Sequence, residues 1–141
     1  MQDEDIRLIL AGCIPADQSQ ARVPAYFLHI VEHGNDDPVG YIDIRIGDNE
    51  GLFYGGHIGY RVYEDFRGNS YAEKACRLVV PIAIAHGMHC LRITCNPDNL
   101  ASKRTIEKLG ARFIGIFPVP EYNDLYRQGD REKCVFEWDI K

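Results

Sequence analysis

In Val39 to Ile46 and again in His57 to Tyr63 the apolar residues recur at every second position, and from Tyr71 the chain changes to a helical pattern. This change of period is the strongest constraint on the fold: a meander of strands must hand over to helices that cover its apolar face. In Val39 to Ile46 the side chains of Ile42, Ile44 and Ile46 share one side, with Asp43 and Arg45 on the other. Ala25 to Glu32 is rich in aromatic and β-branched residues, and His57 to Tyr63 sets Ile58, Tyr60 and Val62 on one side. The segments His33 to Pro38 and Gly47 to Gly51 are dense in turn residues, so the strands connect shortly and antiparallel. A first strand is expected at Ile6 to Ala11 and a polar loop at Pro15 to Pro24.

Tyr71 to Ala85 is rich in alanine and ends at Gly87, which reads as a helix. Ser70-Tyr71-Ala72-Glu73 fits a capping box, and Pro81 removes one helical hydrogen bond, so a kink or break is expected near it. Cys90 to Cys95 alternates as a strand. Leu100 to Leu109 reads as a second helix, capped by Asp98 or Asn99 and stopped by Gly110, with Ala101, Thr105 and Leu109 on one stripe. Ala111 to Val119 and Lys133 to Ile140 close the order as two strands. The strand–helix–strand unit across residues 57 to 95 implies a parallel pair with a right-handed crossover, and the fold class is a mixed α/β sheet.

At 141 residues the chain is the size of one domain, and its apolar fraction of 45% is enough for a sizeable core. A net charge of −5 argues against a general affinity for nucleic acid or anionic lipid. No apolar run reaches membrane-span length, and the acidic start, Met1 to Asp5, is unlike a secretory signal, so a cytoplasmic location is expected. The five cysteines are odd in number and lack C-x-x-C spacing, which reads as reduced thiols. His29, His33, His86 and His89 do not fall at metal-ligand spacing, no metal is expected, and no P-loop lysine follows the glycine turn.

The turn Arg67-Gly68-Asn69-Ser70-Tyr71-Ala72 lies between a strand and a helix, where free backbone N–H groups and the helix dipole suit an anion. Arg67 adds a cation beside that anion. Together with Asn99, Ser102, Glu107, Lys108 and Gly110, this loop resembles the GCN5-related N-acetyltransferase (GNAT) superfamily, in its ribosomal-protein-acetyltransferase-like branch. The resemblance covers residues 25 to 141 and rests on two motifs at the family's separation, Arg67 to Ala72 and Asn99 to Gly110. It implies acetyl-CoA as co-substrate, a primary amine on a small molecule or protein as acceptor, and two parallel strands splayed to admit the pantetheine arm. By the same resemblance, the backbone amides of Gly68, Asn69, Ser70, Tyr71 and Ala72 would take the CoA pyrophosphate. Val62 would polarise the thioester carbonyl, Asn99 would hold the pantetheine arm with Ser102 in the same motif, and Lys103 or Arg104 would reach the 3′-phosphate.

Three departures from the family pattern stand out. Ser70 replaces the central glycine of the loop, and its Cβ restricts the backbone there. Ile106 occupies the position where many relatives carry a tyrosine that protonates the departing thiolate. Only Cys13 to Pro24 stands where relatives place two helices, so the acceptor site is expected to be open or completed by a second subunit, and a homodimer is the symmetric default. His57 is the candidate base, beside the rival reading of a strand-end histidine bonded to backbone. Tyr60 is the candidate acid or relay. Glu64 and Asp65 border the turn, and Tyr122, Tyr126, Arg127 and Asp130 lie in the loop that borders the acceptor site in this fold. The expected function is N-acetyl transfer in a ternary complex, with a non-catalytic acyl-CoA-binding module on the same fold as the alternative. The net charge leans toward cationic amines.

Overall fold

Two antiparallel sheets, joined at one corner, carry the seven strands of the computed structural model, which describes residues 1–17 and 23–141. Residues 18–22 of the expected Pro15 to Pro24 loop lie outside the described residues. The first sheet is the expected meander: β1 (Ile6–Ile14), β2 (Ala25–Glu32), β3 (Gly40–Arg45) and β4 (Ile58–Val62), each paired antiparallel with the next. Register follows the alternation read from the sequence, with Leu28 opposite Ile42 and Ile42 opposite Tyr60. Ile30, Ile42 and Ile44 are fully buried on the face that takes the helices; each such side chain contributes about 1.5–3 kcal/mol relative to exposure.

The second sheet runs β5 (Cys90–Cys95), β7 (Glu132–Asp139), β6 (Arg112–Pro118), again antiparallel throughout. Between β4 and β5 lies α2 (Tyr71–Ala85), and between β5 and β6 lies α3 (Leu100–Lys108). Ala75, Cys76, Val79 and Ala83 of α2 and Ile106 of α3 enter one core with Leu91, Ile93 and Phe136. Pro81 does not break α2, which runs unbroken through it for fifteen residues. All five cysteines are free thiols.

One helix was not legible in the turn-like stretch after β3. α1 (Glu50–Gly55) contains two glycines and little helix propensity. Asn49 caps it by accepting the Leu52 N–H at 3.0 Å. Tertiary contacts do the rest: Phe53 meets Phe117 edge to face at 4.9 Å and lies under the Arg92 guanidinium, and Thr94 donates to the Tyr54 carbonyl. Arg92 and Thr94 alternate with the buried Leu91, Ile93 and Cys95, so α1 covers the face of β5 opposite the core, and helices lie on both faces. A short α4 (Asp124–Arg127) sits in the loop before β7, where the Tyr122 hydroxyl donates to the Glu50 carboxylate of α1.

The expected parallel pair, β4 and β5, forms no ladder. Gly56 and His57, just before β4, join the middle of β5. Gly56 has φ 77°, and a Cβ there would stand 3.1 Å from the Arg92 carbonyl oxygen, so glycine alone suits the position. The His57 N–H donates to the Arg92 carbonyl at 2.7 Å, and the Arg92 N–H donates back to His57 Nδ1 at 2.8 Å. Nε2 of the same ring donates to the Gly47 carbonyl at 2.8 Å. The imidazole thus replaces a missing rung between the sheets, as a neutral tautomer with both nitrogens engaged.

Burial lowers the His57 pKa below its ordinary 6.5, and the nearby Arg92 and Arg45 charges add to the shift while the Gly47 hydrogen bond opposes it. The unfolded chain therefore binds this proton more tightly than the folded one. The stability linked to His57 is complete above pH 6.5 and is lost as pH falls through the lowered folded value. His57→Ala is expected to cost about 1–3 kcal/mol, because it leaves buried backbone groups unpaired. It should also flatten the fall in melting temperature between pH 7 and pH 5. Thermal melts of both proteins across that range check this, and identical pH slopes would remove the assignment.

Candidate active site

Beyond the His57 joint a cavity of about 710 Å³ opens between β4, the Arg67 loop with the start of α2, and α3. From the loop and the start of α2 it is lined by Arg67, Gly68, Ser70, Tyr71 and Ala72, and from α3 by Asn99, Ser102 and Arg104. Val62 and Tyr60 line it from β4. The structure thus brings together every expected donor-site residue except Asn69, whose Nδ2 donates to the Phe66 carbonyl at 3.1 Å and which faces a neighbouring hollow beside Asp3 and Glu73. Tyr41 and Arg61 also line the cavity and were not singled out from the sequence; Thr105 and Lys108 line it too, though the sequence placed them only on a helix stripe and in the second motif. Thr105 and Lys108 follow Ala101 at helical spacing, the signal that could have found them.

Backbone geometry supplies donors. Tyr63 donates to Val39 and Arg45 donates to His57 across β3 and β4. In an antiparallel pair the alternate residues turn their peptide groups the other way, so the N–H groups of Tyr60 and Val62 face away from β3, on the side of the cavity. Arg67 Nε donates to the Val62 carbonyl at 3.0 Å, which folds the loop onto the end of β4. At the start of α2 the first helical hydrogen bond is Lys74 to Ser70, leaving the N–H groups of Tyr71, Ala72 and Glu73 without a helical partner. Asn99 caps α3 by accepting the Ser102 N–H at 3.1 Å, which leaves its Nδ2 as a donor.

Charge is distributed sharply. The whole chain has 21 acidic and 16 basic residues, yet Arg61, Arg67, Arg104 and Lys108 line this cavity and no carboxylate does among the described residues. A polyanion fits the α2 end of such a site, where Arg67, Arg104, Lys108 and oriented N–H groups converge without internal neutralisation. A family model described as an acetyltransferase (GNAT) domain matches residues 2–112.

The chain belongs to the GNAT acetyltransferase family. Its fold is similar to the crystal structure of the microcin C7 self immunity acetyltransferase MccE in complex with acetyl-CoA and AMP, at 19% identity and a TM-score of 0.62, over 82% of this chain. It is similar also to a ribosomal-protein-S5-alanine acetyltransferase from Vibrio fischeri, at 18% identity, a TM-score of 0.65 and 83% coverage. A GNAT-family acetyltransferase from Bacillus anthracis gives 20% identity, a TM-score of 0.62 and 81% coverage. This chain spans 61%, 62% and 66% of the lengths of those three proteins. Among curated protein sequences no match is found.

Within this GNAT domain, Ser70 is held at φ 61° and ψ 24°, the one non-glycine residue with positive φ among the described residues. The loop holds a left-handed residue at this position although serine carries a Cβ. The expected capping box does not form, because the left-handed backbone aims the Ser70 side chain elsewhere and it makes no cap hydrogen bond. Glu73 pairs instead with Arg77 at 3.1 Å, and Arg77 donates on to the Lys108 carbonyl at 3.0 Å, tying α2 to the end of α3. Tyr71 donates to Glu32 at 2.7 Å, and that bond helps push its phenol up to about 12.

The candidate chemistry divides between two residues expected to act together. The Tyr60 hydroxyl lies 2.8 Å from Ser102 Oγ, and burial holds its pKa far above that of a free phenol, so the hydroxyl stays protonated within the cavity. His57 does not line the cavity and has no free nitrogen, so the expected base role gives way to the rival reading of a backbone-bonded strand-end histidine. Ile106, at the family's tyrosine position, is fully buried in the core. Lys103, Glu64, Asp65, Tyr122, Tyr126, Arg127 and Asp130 do not line the cavity; Asp130 bonds Asn96 and Lys133, and Arg127 pairs with Asp124.

A left-handed backbone costs an L-residue about 1–2 kcal/mol, and glycine loses about 0.5–1 kcal/mol through its freer unfolded state. The first effect wins, so Ser70→Gly is expected to raise stability by about 0.5–1 kcal/mol. Ser70→Ala keeps the Cβ and loses only an unused hydroxyl, so it should change stability by less than about 0.5 kcal/mol. Chemical denaturation of the three proteins checks this; a clear loss in Ser70→Ala would restore a capping role.

Proposed function

We propose that this GNAT domain transfers an acetyl group from acetyl-CoA to a primary amine by direct attack in a ternary complex. The observation that carries the reading is the carboxylate-free cavity, with Arg67, Arg104 and Lys108 arranged around the open N-terminus of α2. These groups would hold the phosphates of the co-substrate, and Asn99 Nδ2 would hold its amide-bearing arm. Acetyl-CoA supplies an activated acetyl thioester. The Val62 N–H is the donor placed to stabilise negative charge on the carbonyl oxygen as the C–N bond forms and the C–S bond breaks. Tyr60 gives its proton to the departing sulfur, Ser102 orients the phenol, the proton lost by the amine passes to water, and water returns a proton to the Tyr60 phenolate.

A second reading, a non-catalytic acyl-CoA-binding module, is favoured by one observation. Among the described residues no carboxylate or imidazole lines the cavity, so an amine must reach it already neutral. Calorimetry with acetyl-CoA, followed by thiol release over a panel of amines, separates the two. Transfer to at least one amine is expected, and tight binding without transfer to any would favour the module.

Two variants test the roles. Tyr60→Phe is expected to lower turnover by about 100-fold while acetyl-CoA affinity stays within twofold. Asn99→Ser keeps a good helix cap but removes the amide donor, so it should weaken acetyl-CoA binding by up to about tenfold. Full turnover in the Tyr60 variant would move the acid to another group.

A further inference from the structure

The cavity is lined from both faces of the first sheet. Along β4, Tyr60 and Val62 share the helix-covered face with the buried Ile58, and alternation puts Arg61 on the opposite face. Tyr41 is the register partner of Arg61 on β3 and shares its face. All four line the same space, so that space passes the unpaired side of β4 from one face of the sheet to the other.

The two ends differ in what they offer. Arg67, Arg104 and Lys108 converge with the α2 N-terminus on the helix side, while Arg61 stands on the far side, exposed and in no ion pair among the described residues. The carboxylate that β3 presents on that far face is Asp43, and it is already committed: Arg45 lies 3.1 Å from it, and it is buried over Gly59. The backbone that carries Arg61 is held close to β3, because a Cβ on Gly40 would run into the Arg61 carbonyl.

We propose that Arg61 and Tyr41 form the acceptor subsite, and that the acceptor is an amine carrying an anionic group, a carboxylate or a phosphate, close to its nitrogen. This rests on the acetyl-transfer reading and names its acceptor class. Arg61 supplies a fork of donors to the anion and Tyr41 a hydroxyl and an aromatic wall, which together aim the amine through the gap toward Tyr60 and Val62. A polyamine would meet an unpaired guanidinium at this mouth, the reverse of the lean that net charge suggests.

Matched amines test the proposal: β-alanine against β-alaninamide for a carboxylate, phosphoethanolamine against ethanolamine for a phosphate, and putrescine as a polycation. Each is titrated into the protein loaded with desulfo-CoA, an unreactive analogue, and each is also assayed with acetyl-CoA by thiol release. The anionic member of one pair is expected to bind at least tenfold more tightly than its neutral partner, and that pair identifies the anion. In Arg61→Gln the preference should fall to within twofold while acetyl-CoA affinity is unchanged. Equal binding within both pairs, or a preference for putrescine, overturns the subsite. Weakened acetyl-CoA binding by Arg61→Gln also overturns it, by assigning Arg61 to the donor end. A binding preference without any thiol release leaves the subsite standing and defeats the transfer reading instead.

Discussion

The structure turns on one imidazole. Two antiparallel sheets that share no ladder are held together at a corner by His57, which accepts from the Arg92 N–H through one ring nitrogen and donates to the Gly47 carbonyl through the other. The cavity opens along the side of β4 that makes no ladder, between β4, the Arg67 loop and α3. The core shared with α2 and α3 sets the general spacing of the two sheets, and the ring pins it at this corner. This side-chain rung gives a fixed origin, and Gly56 permits the close approach on which it depends. The Val62 N–H, the loop and the N-terminus of α2 all take their positions relative to that origin.

Much of this was legible in the residues. Alternation located the strands to within a few positions, and the pair of motifs at Arg67 to Ala72 and Asn99 to Gly110 pointed to residues that line one cavity. What escaped was decided by tertiary contacts. α1 has a poor helical sequence and exists because Phe53 and Leu52 are buried or stacked against distant residues. Asp43 reads as a solvent-facing strand residue, yet it is buried beside Arg45, with burial holding its carboxyl pKa above the usual range. His57 read as a candidate base because a strand-start histidine after two glycines is equally suited to chemistry and to bracing. Only the positions of Gly47 and Arg92 separate these roles.

Ser70 illustrates a different limit. Its sequence context, with glutamate three positions on, is that of a helix cap, and local pattern alone favours that reading. The loop's requirement for a left-handed residue overrides it, and the serine accepts the strain without gaining the hydrogen bond. Anion-binding geometry at the start of α2 therefore takes precedence over the stability of the helix. That ordering suits a site whose backbone donors must remain open.

Tyr60 and Ser102 lie on opposite walls of the cleft, one on β4 and one on α3, and their hydroxyls are 2.8 Å apart. This bond works against burial and lowers the phenol's proton affinity. A widening of the cleft by one ångström would take the pair beyond hydrogen-bonding distance. Cleft width therefore acts on this phenol in two opposed ways: parting walls break the Ser102 bond, but they also admit water and relieve the burial that is the larger influence. The closed cleft is the state that keeps the proton on Tyr60, and hydration rather than the hydrogen bond decides when it is released.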